Sequence, residues 1–283
     1  MQTKNASLEH VLAALRAQLE AVHAHELGAR AGRDPEDLHE MRVGVRRLRA
    51  ILRASHPMFE RKWVESLRGE LRWLGTSLGH VRDLDVLFAY LQARLKRLPA
   101  SERRAGAVLL RGLEADRARA RTTLRSALAG PRYRRLLRRL DTALRHPPVV
   151  TADFSLFDVA AGEFKKLRSA VKDLSKHPSD EDLHATRIKL KRARYAAELA
   201  GEATGRPGQR FLEQAKTLQD VLGEHQDSVV LEQRLRETPD RTGDLDAVKN
   251  KLIEWERRRR RATRAAFRDE WRKLKRRGRK AWA

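Results

Sequence analysis

The feature that most constrains the fold of this chain is a stripe of cationic residues that occurs twice. Read as a helix at about 100° per residue, residues 38–53 place one histidine and four arginines within an arc of about 80°. This first stripe comprises His39, Arg42, Arg46, Arg49 and Arg53. An offset of 145 residues aligns it with a second stripe of His184, Arg187, Lys191 and Arg194. Such an internal repeat predicts two copies of one structural unit.

Each stripe is expected to form one face of an amphipathic helix. In the first copy the apolar residues Leu38, Met41, Val45, Leu48 and Leu52 fall together on a different face. A solvated arginine face is the common explanation for a run of like charges, since such charges repel one another. A regular stripe led by a histidine instead favours a polyanion site, because guanidinium groups grip phosphate oxygens bidentately. The second stripe departs at its end, where Glu198 stands at the position matching Arg53.

The composition limits the class of partner. The 283 residues include 62 Lys and Arg against 38 Asp and Glu, for a net charge of +24. So large an excess repels itself unless it is spread out or neutralised by a polyanion. Nucleic acid, an anionic membrane surface and inorganic polyphosphate are the candidate partners.

The same composition bears on the cellular compartment. The sequence contains no Cys, which excludes disulfides and thiolate metal sites and fits a reducing compartment. The N-terminal residues lack the order of a signal peptide, and no apolar run is long enough to span a bilayer. We therefore expect a cytoplasmic protein.

The whole chain is predicted to be helical. Gly, Pro and β-branched residues are sparse, whereas Ala, Leu, Arg and Glu dominate. The segment HPPVVTAD near the midpoint is the clearest linker. We predict an all-α fold of two helical bundles, with a first repeat at about 7–145, a linker at about 146–153 and a second repeat at about 154–275.

A second motif follows each stripe. The segment LRWLGTSLGHVRDLDVL matches AKTLQDVLGEHQDSVVL at an offset of 144, so that Gly79 aligns with Gly223 and Asp83 with Asp227. We predict a turn at each glycine and a helix beginning at each aspartate. Asp83 and Asp227 are then N-caps rather than catalytic carboxylates.

Further cations recur at matched helical positions or flank the stripes. A second tier consists of Arg16, Arg168, Arg72 and Lys216, each basic in both copies. A third tier consists of Arg53, Arg82, Arg121 and Arg264. Gln226 stands where Arg82 predicts a cation, so the second copy contributes less at that position.

The paired stripes and the LG-x-x-(R/Q)-D motif resemble the CHAD domain, the conserved-histidine α-helical domain, over nearly the whole chain. The resemblance implies a single domain over residues 1–283, in which two bundles related by pseudo-two-fold symmetry line a central cleft or pore with basic faces. It also implies that this cleft holds inorganic polyphosphate. Some family members are fused to triphosphate-processing domains marked by a Glu-x-Glu-x-Lys strand. This sequence has no such strand and is therefore similar to the stand-alone form.

Inorganic polyphosphate suits a site of this kind. It is a flexible chain of charged phosphates without bases. A long groove lined by guanidinium groups that donate bidentate hydrogen bonds is therefore sufficient to bind it. The predicted core of the site is His39, Arg42, Arg46, Arg49, His184, Arg187, Lys191 and Arg194. Targeting to polyphosphate or other storage granules, scaffolding and regulation are the cellular roles that stay open. Glu198 and Gln226 predict weaker polyphosphate binding by the second half.

Catalysis and metal binding are not expected, and no cofactor is predicted. The sequence has no P-loop, no nucleophile elbow and no paired acidic cluster, so neither a phosphatase nor a kinase is indicated. The neighbours of His39 and His184 on the stripes are Arg and Lys, which repel a metal cation. We expect these imidazoles to donate hydrogen bonds to phosphate instead.

The alternative function is nucleic-acid binding. Only 5% of the residues are aromatic, and none interleaves with the stripes as base stacking requires. A polyphosphate-processing enzyme is the third hypothesis, and it needs a metal-binding carboxylate set that the sequence does not display. The oligomeric state stays open at this point.

Overall fold

The computed structural model describes residues 2–151, 154–240 and 245–282. Within these ranges all regular structure is helical, apart from an isolated β-bridge between Phe59 and Val149. The all-α prediction is therefore confirmed. The chain forms two compact units, the first from Met1–Gln92 and Leu110–Leu156, the second from Ala93–Leu109 and Phe157–Ala283. The predicted linker includes residues 152 and 153, which lie outside the described residues.

The first unit is built on the helix that carries the first stripe. Its helices are α1 (Gln2–Ala31), α2 (Pro35–Ala54), most of α3 (Arg61–Leu95) and of α4 (Ala100–Ala129), and α5 (Pro131–Arg145). Asp34 caps α2 by accepting a hydrogen bond from the backbone N–H of Glu36 at 2.8 Å, and Pro35 takes the first helical position. The predicted apolar face of α2 is buried, namely Leu38, Met41, Val45, Leu48 and Leu52.

The second unit is a bundle around one shared core. Its helices are α6 (Leu156–Lys172), α7 (Asp180–Ala200), α8 (Gly205–Glu237) and α9 (Leu245–Ala281), joined by the end of α3 and the start of α4. Ser179 and Asp182 form a capping box that starts α7, with hydrogen bonds of 3.0 Å in both directions. The core draws residues from each of these four helices, including Phe164, Leu190, Phe211 and Phe267.

The compact units and the predicted repeats differ over residues 93–109. This segment comes from the first half of the sequence, but it belongs to the second unit. Lys251 on α9 donates a hydrogen bond to Glu102 on α4 at 2.9 Å, and Arg94 lies 4.0 Å from the buried Glu256. Helical periodicity predicts that a face is buried but not which unit buries it.

The turns predicted after each stripe are wrong. Helices α3 and α8 run without a break through Gly79 and Gly223, so Asp83 and Asp227 lie inside helices and are not N-caps. A glycine inside a helix costs about 1 kcal/mol relative to alanine. Burial of a long apolar face outweighs that cost. In α3 the buried face includes Leu67, Leu71, Leu74, Leu78 and Val81.

None of the helices described here combines the length and the apolar character needed to span a bilayer.

Candidate anion-binding site

The first stripe lies along α2 and is half-buried at all five of its positions. Arg47, which is on the same helix but outside the stripe, is exposed. The stripe side chains therefore lie against neighbouring protein and do not extend freely into solvent. A simple solvated face does not explain this burial.

Helix α3 provides the surface on which the first stripe lies. Arg42 donates from Nη2 to Asp83 at 3.0 Å. A Cβ atom added at Gly79 would be 3.5 Å from Nε of Arg42, and one added at Gly75 would be 3.5 Å from Nη1 of Arg49. The two glycines thus let the guanidinium groups lie close to the α3 backbone, which is a packing reason for glycine inside a helix.

Arg49 lies near two further arginines, Arg68 and Arg72 on α3. Burial lowers the pKa of Arg49, and the charges of Arg72 and Arg68 lower it further. In the part of the chain that the structure describes, Arg49 has no carboxylate partner. Three cations held in this way repel one another, and a bound anion relieves that repulsion.

Arg68 is a candidate residue that the sequence analysis missed. It lies one turn before Arg72 on α3, and this i, i+4 spacing is a signal that the sequence does carry. The matching residue in the second copy is Leu212, however. The cation at Arg68 is therefore not repeated, and the internal repeat gives no signal for it.

His39 begins the first stripe with an unsatisfied ring nitrogen. Its Nδ1 is buried and has no hydrogen-bond partner among the described residues. Ligand atoms of Glu36, His39 and Glu40 all lie within 4.8 Å of one another. A structural zinc site takes four ligands. These three residues share one helix and Glu36 is exposed, so we assign no metal to them.

The second stripe lies along α7 with partners at both of its ends. Arg194 donates from Nε to Glu198 at 2.8 Å and from Nη1 to Gln219 at 3.1 Å. Nδ1 of His184 lies 2.6 Å from Oε1 of Gln226. An amide oxygen only accepts, so the imidazole nitrogen donates this hydrogen bond. Both ends of the second stripe are thus engaged within the protein.

Substitutions on α8 account for two of these partners, Gln219 and Gln226, whereas Glu198 lies on α7 itself. At the offset of 144, Gln219 replaces Gly75 and Gln226 replaces Arg82. Each glutamine supplies a side-chain oxygen that accepts a hydrogen bond from a residue of the second stripe. Neither a glycine nor an arginine side chain offers such an acceptor.

Two third-tier arginines take part in internal ion pairs. Arg121 donates to the buried Asp85 at 3.0 Å, and Arg264 pairs with Asp180 at the start of α7. Burial raises the pKa of Asp180, but its hydrogen bond to Arg264 and the charge of Arg260 outweigh that effect and hold the pKa below its ordinary value. These carboxylates neutralise arginines that were predicted to face phosphate.

The remaining predicted residues are spread over several surfaces. Arg16 donates to the backbone oxygen of Leu144 at 3.1 Å. Arg168 lines a groove of α6 and α9 that no stripe residue lines. Arg72 and Lys216 are exposed, whereas Arg53 and Arg82 are half-buried.

The chain is similar to a known protein family and to two curated proteins. The family model for the CHAD domain matches residues 13–236. Two uncharacterized proteins from two strains of Mycobacterium tuberculosis are each 34% identical over 209 residues, which is 70% of this chain and 39% of theirs. The chain therefore spans about two fifths of the length of these curated relatives.

Two solved structures share the fold. PptA from Streptomyces chartreusis aligns with a TM-score of 0.79 and 22% identity, over 93% of this chain and 98% of its own. The CHAD domain from the plant Ricinus communis aligns with a TM-score of 0.70 and 29% identity, over 93% of this chain and 90% of its own.

Proposed function

Because this chain belongs to the CHAD domain family, we propose that it binds inorganic polyphosphate through its two stripes, without catalysis, and so associates with polyphosphate granules. The observation that carries this proposal is the position of Arg49 of the first stripe, which lies against Gly75 of α3 and near Arg68 and Arg72, without a carboxylate partner among the described residues. The association of the family with polyphosphate supports the choice of ligand.

The dimensions of the first stripe suit a linear polyanion. From His39 to Arg53 the helix rises about 21 Å, at about 1.5 Å per residue. Each guanidinium group along this length donates two parallel hydrogen bonds to a phosphate group of the bound chain. Binding releases counterions condensed on the polyanion, so the affinity falls steeply with salt.

Two carboxylates near the stripes are paired with arginines, which favours a role in binding over one in hydrolysis. Asp83 is held by Arg42, and Glu198 is held by Arg194. A carboxylate that is neutralised by an arginine is poorly placed to act as a general base or to hold a catalytic cation. Incubation with polyphosphate and Mg²⁺ or Mn²⁺ is therefore expected to release no phosphate.

The test is calorimetric titration of the intact chain with one defined length of polyphosphate at fixed salt. Replacing Arg49 and Arg72 by Gln removes two cations from the cluster and is expected to weaken binding at least tenfold. Replacing Arg47 and Arg111, two exposed arginines outside the stripes, removes the same charge and is expected to change affinity less than threefold. Equal losses in both variants would contradict a localised site.

Titration with RNA under the same conditions tests the alternative function, nucleic-acid binding. At equal phosphate concentration, RNA is expected to bind more weakly than polyphosphate, because no aromatic side chain interleaves with the stripes to stack bases. Equal or tighter binding of RNA would favour a nucleic-acid-binding protein.

A further inference from the structure

A second cationic surface lies between α6 and α9, and it contains no stripe residue. It is a groove of about 810 Å³. Six cations line it, namely Arg168, Lys172, Arg268, Arg272, Lys275 and Arg279. Asp269 is the carboxylate among its lining residues, and it is paired with Arg272. The net charge of this lining is strongly positive.

The floor of the groove is apolar and carries an indole ring. Val171, Leu174, Phe267 and Trp271 belong to its lining and pack on the core of the second unit. Val171, Leu174 and Trp271 are half-buried, so a ligand in the groove would cover the apolar surface that they still expose. Inorganic polyphosphate has no apolar part with which to cover that surface.

A groove of the first unit that overlaps this one in the repeat has a different character. Its volume is about 320 Å³, and an offset of 143 matches its Leu124 and Arg125 to Phe267 and Arg268. The residue that matches Trp271 is Leu128, which is not among the described lining residues of the first-unit groove. Its three cations, Arg30, Arg121 and Arg125, face three carboxylates, Asp34, Asp85 and Glu114. Its described lining includes no aromatic residue. A third groove is lined by five cations, Arg206, Arg210, Arg276, Arg277 and Lys280, and its described lining likewise includes no aromatic residue. The indole therefore distinguishes the groove between α6 and α9 from these two grooves, and its cations alone do not.

We propose that the groove between α6 and α9 binds a nucleoside triphosphate, with the phosphates on its arginines and the base against Trp271. Its volume lies in the range of small-molecule sites, roughly 300–1,000 Å³. Six cations against one paired carboxylate match a compact ligand of several negative charges. The indole and the aliphatic floor match a planar base. This site is separate from the polyphosphate site proposed above.

The experiment is calorimetric titration of the intact chain and of Trp271→Leu with ATP and, separately, with inorganic tripolyphosphate. Tripolyphosphate also binds the proposed stripe site and has no base to stack, so its affinity should change little in Trp271→Leu, whereas that of ATP should fall. Trp271→Leu is expected to weaken ATP about tenfold, since stacking of one base contributes about 1–3 kcal/mol. Trp271→Phe keeps a ring and is expected to retain most of the affinity. An unchanged ATP affinity in Trp271→Leu would overturn the proposal.

A surface variant keeps the proposal testable if Trp271→Leu does not fold. Arg168→Gln with Arg272→Gln is expected to weaken ATP at least tenfold, whereas Arg206→Gln with Arg210→Gln, an exposed pair on α8, changes it less than threefold. Arg42→Gln with Arg46→Gln weakens polyphosphate but leaves this ATP binding in place, so the two proposals fail separately. ATP binding that is lost with the stripe pair and kept with the groove pair would overturn the groove site. Binding of phosphatidylserine vesicles that depends on Trp271, and that ATP does not displace, would also overturn it.

Discussion

Arg49 and Arg194 occupy the same place in the two repeats but have opposite surroundings. Arg49 lies near Arg68 and Arg72, whose charges lower its pKa, and it has no carboxylate partner among the described residues. Arg194 is neutralised by Glu198 and donates a further hydrogen bond to Gln219. Repeated cations alone therefore do not make two equal sites. The residues next to a cation, both on its own helix and on the helix packed beside it, decide whether that cation is available to an anion.

The largest expected effect is a difference between the stripes when each loses two central cations. Arg42→Gln with Arg46→Gln is expected to lose more polyphosphate affinity than Arg187→Gln with Lys191→Gln. The difference is on the order of one charge-assisted contact, about 1.5–3 kcal/mol. Titration calorimetry at fixed salt measures it, and the melting temperature of each variant controls for folding. Equal losses in the two variants would remove the asymmetry.

A smaller effect is expected from releasing Arg194. Glu198→Arg removes the carboxylate that neutralises Arg194 and restores the cation present at Arg53 in the first copy. We expect polyphosphate to bind tighter by about 1.5 kcal/mol, the lower end of what a hydrogen bond to a charged group contributes. Glu198→Gln, which removes the charge alone, should recover part of this gain. Unchanged affinity in both variants would place the end of the second stripe outside the site.

Placing the glutamine of the second copy into the first copy is expected to lower the affinity of the first stripe for polyphosphate slightly. Gly75→Gln places on α3 the residue that α8 carries at position 219, next to Nη1 of Arg49. The new amide oxygen accepts a hydrogen bond from Arg49, so polyphosphate affinity should fall by about 0.5–1.5 kcal/mol. Gly75→Ala is the control. It should leave affinity unchanged and stabilise α3 by up to about 1 kcal/mol, because alanine favours the helix.

The smallest effect is a difference in acid stability between the units. Burial lowers the pKa of His225 on α8, an effect that the nearby Asp180 only partly offsets. A histidine whose folded pKa is depressed contributes stability that is lost as pH falls below its unfolded value of about 6.5. The lowered pKa of Asp180 adds a further loss below about pH 4. The residue matching His225 in the first unit is Val81, which does not titrate.

Hydrogen exchange between pH 7 and pH 5 measures this difference. Amides of α8 should lose protection more steeply than those of α3 as the pH falls, and His225→Gln should reduce the difference. Parallel loss of protection in the two helices would show that His225 does not set the acid stability of the second unit.

The sequence predicts most of the fold because helical periodicity is a local property and the repeat can be read directly from the sequence. The buried face of α2 and the cap at Asp34 follow from helical spacing and capping chemistry. The shared basic cleft stays a prediction. The continuous helix through Gly79 was missed, because propensity marks a glycine as a break and does not report the burial that outweighs it.

The candidate site was predictable in its cations but not in their partners. The stripe residues follow from spacing alone. The pairing of Arg121 with Asp85 depends on how α3 and α4 pack, which no local pattern encodes. Gln219 was likewise unrecognised, because a neutral residue in a cationic alignment gives no signal until it is seen next to Arg194.

Binding of polyphosphate by the first stripe is best tested by a crystal structure of the chain with a polyphosphate of defined length. We expect phosphate density along α2, with oxygens within hydrogen-bond distance of Arg42, Arg46 and Arg49. Density confined to the groove between α6 and α9, or to α7 alone, would contradict it.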